Sequence, residues 1–171
     1  MHRNMSITKS LALNSQVRKT SFISRMALTC GALTLLISAS LLVIQRSESY
    51  AYIQFFNFYE AEETRAIVGY NDAIAQSKDG KLDDDVFANK LESNCLNRWK
   101  AICSNGKAVH LSQSNVFRKP YDYYMHLASL RCQAMDKMVN GVRKHDDNLI
   151  DEANRIQQEA GRLINDRNKK S

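Results

Sequence analysis

The chain has 171 residues, with 24 Lys and Arg against 18 Asp and Glu, a net charge of +6, six Gly and a single Pro. So few turn residues argue against a small all-β domain, and the length suits one modest core. Nor does the charge describe a nucleic-acid binder: Arg3, Lys9, Arg18, Lys19 and Arg25 put +5 into the first 25 residues, which hold no acid, so the other 146 residues sum to +1.

In chain order, residues 1–25 read as a basic cytoplasmic leader. Residues 26–45, "MALTCGALTLLISASLLVIQ", carry no charge and are flanked by Arg25 and Arg46; nine of the twenty are Leu, Ile or Val. At about 1.5 Å per residue such a segment reaches roughly 30 Å, the thickness of a bilayer's hydrocarbon core. The spacing predicts a single transmembrane helix. With the cations before it and acids after it, the N-terminus is expected in the cytoplasm and the rest outside, at an inner (plasma) membrane. A cleaved signal peptide is the rival: Ser49-Tyr50-Ala51 fits the small-x-small rule, but the apolar run and the leader are both long for one. Ala27, Gly31, Thr34 and Ser38 fall at helical spacing and form a candidate transmembrane packing face, because small residues let helices approach closely in lipid.

Residues 46–60 form an aromatic juxtamembrane segment, with Tyr50, Tyr52, Phe55, Phe56, Phe58 and Tyr59 expected at headgroup depth. Residues 61–166 read as a helical extracytoplasmic domain, a hairpin or bundle of three to four helices, and 167–171 as a charged tail. Within the domain Ala66, Tyr70, Ala73 and Ile74 share a helix face, Asp79-Gly80 signals a turn, and one of Asp83, Asp84 or Asp85 is placed to cap the next helix. That helix, about 84–103, carries Phe87, Leu91, Cys95 and Ile102 on one side with Trp99 close by, and Gly106 is expected as its left-handed stop. Residues 107–120 carry no clear pattern, although Pro120 suits a first helical turn. A seam follows at steps of three and four: Tyr121, Met125, Ala128, Cys132, Met135, Val139, Val142, Asp146, Leu149, Ala153, Ile156, Ala160 and Leu163. It makes either one long helix or two hinged within "NGVRKHDDN", with Gly141 as the weak point and Asn148 as the new cap; the hinge is preferred. From Met125 to Leu163 the seam is the candidate interaction surface.

Cys30 lies in the predicted span, as a small packing residue. Cys95, Cys103 and Cys132 lie in the domain, where an oxidising compartment permits a bridge. Cys95 and Cys103 are about 12 Å apart along a continuous helix, too far to join. Cys95–Cys132 is the preferred disulfide and Cys103–Cys132 the second choice. There is no CxxC, HExxH, GxGxxG, P-loop or GxSxG, and "KDGKLDDD" lacks the ligand spacing of a calcium loop. Neither catalytic residues nor a metal site or cofactor are expected, and the chain does not read as an enzyme. The expected function is a single-pass, membrane-anchored structural or interaction subunit of a multi-protein cell-envelope assembly such as a secretion, conjugation or lysis apparatus. It would act through helix–helix contacts with other envelope proteins or as a homo-oligomer, with the membrane as its second partner and no nucleic acid. The alternative is a tethered ligand-sensing or inhibitory module, with Trp99, Tyr121, Tyr123 and Tyr124 as candidate pocket lining.

Overall fold

The structure, a computed structural model, describes residues 4–169, with side chains from Leu36 onward. It is all-helical, with no strand among the described residues. Helix α1 covers Asn4–Lys78, and the chain divides into two compact units, one ending at Arg46 and one beginning at Ser47.

In the first unit, Leu36, Ile37, Leu41, Leu42, Val43 and Ile44 are each between 50% and 69% exposed, so the apolar residues ring the helix instead of sharing one face. Ser40 donates its hydroxyl back to the Leu36 carbonyl at 2.8 Å, which satisfies it without water. Of the proposed packing face, Ser38 is exposed, while Ala27, Gly31 and Thr34 lie outside the described side chains, as does Cys30. Among the described residues no helix is long and apolar enough to cross a membrane, and the first half of the predicted span lies outside the described side chains.

The second unit is a helical bundle of α1 from Ser47 onward with α2 (Asp84–Leu91), a π-turn (Glu92–Leu96), α3 (Asn97–Lys107), α4 (Arg118–Lys144) and α5 (Asp147–Asn168). α1 ends where Gly80 takes the left-handed φ of +69°, and Asp83 caps α2 by accepting from Val86 N at 2.8 Å. The π-turn joins α2 to α3 without a break. The sequence fits it: Phe87, Leu91, Cys95 and Trp99 step by four, more than the 3.6-residue repeat, and one wider turn helps keep them on one side. Leu91, Cys95 and Ile102 are 0% exposed and Trp99 3%. Gly106 is not a left-handed stop. It lies inside α3, buried, because Met125 and Phe55 pack where its side chain would be.

The aromatic segment is mostly core. Tyr52, Phe55 and Tyr59 are buried at 7%, 1% and 0%, and only Tyr50 is fully exposed among the six rings. Tyr52 stacks on Phe117 at 4.7 Å, Phe55 meets Tyr121 edge-on at 5.5 Å, and Tyr59 touches Tyr124 at 5.0 Å. A helix entering the bundle must cover one face, and these rings supply the largest apolar area available for it.

The loop 108–117 is organised by Glu48, which accepts from Ser112 Oγ at 2.9 Å and from Asn115 Nδ2 at 2.8 Å. Asn115, and after it the backbone and hydroxyl of Ser112, hold the Glu48 carboxyl below its ordinary value. Pro120 sits in the first turn of α4, as expected. The seam is two helices. His145 takes a left-handed φ of 50°, and Asp146 caps α5 by accepting from Asn148 N at 3.0 Å and Leu149 N at 3.3 Å. Asp146, the one charged position in the seam, is therefore the hinge; Gly141 stays helical and Asn148 lies inside α5. The seam is buried within the chain: Ala128, Met135, Val139, Val142, Ala153 and Ala160 are core, and Met125, Leu149, Ile156 and Leu163 are half-buried. It is also broader than the periodicity implied, since Leu127, Leu130, Ala134 and Met138 are buried as well.

Candidate functional site

α1 and the π-turn approach closely at one point, where Gly69 lies so near Asn94 that a Cβ on the glycine would be 2.7 Å from the Asn94 Cβ. On the other side, the small residues Ala153 and Ala160 let α5 pack tightly on α4. Between these two contacts the helices diverge and leave a cleft of about 600 Å³, within the range of small-molecule sites.

One wall is apolar, formed by Ala66, Ile67, Trp99 and Met135. The other is polar, formed by Asn71 from α1 and by Asn154, Gln157 and Gln158 from α5. Tyr70 and Cys95 are also in the lining; burial raises the pKa of both, and pushes the Cys95 thiol up to about 11. Cys95 is therefore a protonated thiol near neutral pH and a poor nucleophile.

Arg131 is the one charged side chain in the lining. It donates from one guanidinium nitrogen to Gln157 Oε1, while its Nε is buried and has no acceptor among the described residues. A buried donor without a partner is uncommon, and its desolvation costs about 1–3 kcal/mol. Arg98 Nε is buried and unmatched too, but Arg98 lies outside the lining and its guanidinium bonds Glu62 at 2.7 Å. Behind Arg131, the Tyr59 hydroxyl donates to Glu63 at 3.3 Å. Burial raises the Glu63 carboxyl above its ordinary value, and the charge of Arg131 works against that shift. The cleft thus offers a cation, amides and an apolar wall, a set suited to binding an amphipathic molecule that presents hydrogen-bond acceptors.

Of the aromatic residues expected to line a pocket, only Trp99 does so. Tyr121 is tied to the Gly106 carbonyl at 2.7 Å, and Tyr123 and Tyr124 lie under the Arg167 guanidinium at 4.3 and 4.8 Å. Arg167, exposed near the end of α5, thus rests its guanidinium on those two rings. Arg131 and the α5 amides were absent from the sequence expectation. The available signal was a cation one residue before seam position Cys132, together with amides beside seam positions Ala153 and Ile156.

Cys95, Cys103 and Cys132 are all free thiols, so the expected Cys95–Cys132 bridge is not present. The reason is register. Glu92 bonds Arg143, Lys100 reaches Asp136 at 3.6 Å, and Gly106 faces Met125, which brings Cys132 against Cys103. Cys95 falls about two turns away, opposite a later stretch of α4.

Compared with known proteins, the chain matches no family model, no curated protein and no solved structure.

Proposed function

We propose that this chain is a single-pass, membrane-anchored helical subunit that presents its bundle outside the cytoplasm as an interaction part of a cell-envelope assembly. The observation that carries the reading is the ring of exposed Leu, Ile and Val over residues 36–44. A helix apolar all round needs cover from lipid or from partner helices. The charge-free sequence from Met26 to Gln45 supplies the length for lipid, and the basic leader supplies the orientation. Because the α4–α5 seam is used up inside the bundle, contacts with partners fall to the anchor and to the outer faces.

Alkaline carbonate extraction of membranes tests the anchor. Retention in the pellet is expected, and release of the full-length chain into the supernatant overturns it. A reporter fused at Ser171 that works only outside the cytoplasm is expected to be active there; activity of a cytoplasm-only reporter overturns the orientation. Mass in mild detergent tests the assembly: an oligomer or a co-purifying complex is expected, and a lone monomer refutes it.

The cleft favours a second reading, a tethered ligand-sensing module. The basis is Arg131, whose unmatched Nε lies in a cavity of ligand size with an apolar wall. A carboxylate is the group that a guanidinium holds best. A hydrophobic carboxylate such as indole-3-acetate should raise the melting temperature of the full chain, and Arg131→Met should remove that rise. The same rise in the variant would refute an Arg131-dependent site.

A further inference from the structure

The antiparallel register of α3 on α4 sets two thiols against each other. Lys100–Asp136 lies on one side of them and Gly106–Met125 on the other; between these contacts Cys103 and Cys132 stand opposite each other, each half-buried. Lys100 and Lys107 act on Cys132 from α3, and Asp136, one turn along α4, opposes them. Two thiols opposed on adjacent helices, neither of them wholly enclosed, are placed for chemistry that a solitary buried cysteine cannot do.

We propose that Cys103 and Cys132 form a thiol–disulfide exchange site whose substrate is a disulfide, borne by a small molecule or by another protein. Cys132 is the attacking group. The neighbouring Cys103 and the two lysines hold its thiol below the ordinary value, which favours the thiolate, and the thiolate is the nucleophile. Cys103 keeps its proton, which the neighbouring Cys132 and burial favour. In the first step the Cys132 thiolate attacks one sulfur of the incoming disulfide, forming a mixed disulfide and releasing the other half as a thiol. In the second step Cys103 loses its proton and attacks the Cys132 sulfur, which releases the second half as a thiol. The two protein thiols are oxidised by two electrons, and the incoming S–S bond is reduced to two thiols. The product bond pins α3 to α4. Trp99 lies one turn before Cys103 and Arg131 adjoins Cys132, so the helices that are joined also line the cleft.

The test uses the full-length chain in detergent with Cys30→Ser, fully reduced, then exposed to oxidised glutathione, quenched with an alkylating agent and mapped by mass spectrometry. The expected product has lost about 2 Da, the two hydrogens of a dithiol, with Cys103 joined to Cys132 and Cys95 still available for alkylation after unfolding. Cys103→Ser should stop at glutathione on Cys132, whereas Cys132→Ser should form no intramolecular bond. The oxidised chain should melt higher than the reduced one by roughly 10 °C, because the bond closes a loop of this length. The rate should rise with pH as Cys132 ionises in the field of Lys100, Lys107 and Asp136, and should do so below the ordinary thiol range. Circular dichroism confirms that each variant remains helical. Three alkylatable thiols after exposure of the folded chain, or a bond that includes Cys95, would overturn the proposal. A Cys95→Ser chain that still joins Cys103 to Cys132 supports it, and one that does not refutes it.

Discussion

The same substitution, Gly to Ala, should have opposite effects at two positions. In a helix interior Ala is favoured over Gly by about 1 kcal/mol, because glycine loses more backbone freedom on folding. At Gly161 on α5 a Cβ would meet nothing within 4 Å, so that gain should appear nearly whole. At Gly69 on α1 the Cβ would lie 2.7 Å from the Asn94 Cβ and 3.1 Å from the Asn94 carbonyl oxygen. Carbon atoms prefer about 3.5–4.0 Å, so α1 and the π-turn would have to separate by most of an ångström. Neither neighbour is the loose end of a flexible chain: one is the first side-chain atom and the other is backbone. Overpacking of this kind costs about 1–3 kcal/mol, which cancels or exceeds the helix gain and leaves a net loss of up to about 2 kcal/mol. At about 3–5 °C per kcal/mol for a domain of this size, Gly69→Ala should melt up to about 10 °C lower and Gly161→Ala up to about 5 °C higher. Thermal unfolding of the reduced chain, followed by circular dichroism, measures both. If the two variants shift equally and upward, the close approach of α1 to the π-turn is refuted.

Asp146→Ala removes the acceptor for Asn148 N and Leu149 N at the α4–α5 reversal and should cost about 1 kcal/mol; Asp146→Asn, which keeps an acceptor oxygen, should cost less, as chemical denaturation would show. Leu91→Ala empties a site that is 0% exposed and should cost about 2–5 kcal/mol, whereas Val86→Ala, at a position 42% exposed, should fall within about 0.5 kcal/mol of the parent. The hydrogen bond from Arg98 holds the Glu62 carboxyl below its ordinary value of 4.5. Its contribution is therefore complete above that value and is lost as pH falls through the lower folded one; Glu62→Gln should flatten that part of a plot of melting temperature against pH. Glu63 has the opposite sign: burial raises it, so its ionisation opposes folding as pH rises past 4.5, and Glu63→Gln should gain most over the parent at neutral pH.

Periodicity and punctuation determined much of this molecule. Few glycines, one proline and apolar residues at steps of three and four are enough for an all-helical chain. Asp79-Gly80, the aspartates at 83–85 and the charged break at Asp146 mark where helices stop and start, because capping and left-handed turns are settled within a few neighbouring residues. Faces were legible as well: Ala66, Ala73, Leu91, Cys95, Ile102, Ala128, Met135 and Ala153 are all buried.

Register and distance between helices were decided only by the tertiary packing. A helix face says that Cys95 and Cys132 both point inward, but about two turns of sliding along α4 change which thiol faces which, and the Lys100–Asp136 and Gly106–Met125 contacts select Cys103. Gly106 resembles a stop in the sequence, yet Met125 and Phe55 need its missing side chain, so it packs instead of capping. The aromatic run beyond residue 49 fits an interface as well as a core until Phe117, Tyr121 and Tyr124 arrive from distant sequence to cover it. The cleft has no sequence signature, because it is the space left where Gly69 draws α1 towards the π-turn and the alanines draw α5 towards α4. Local sequence chooses backbone conformation; which surfaces then meet depends on the fit of residues far apart in the chain.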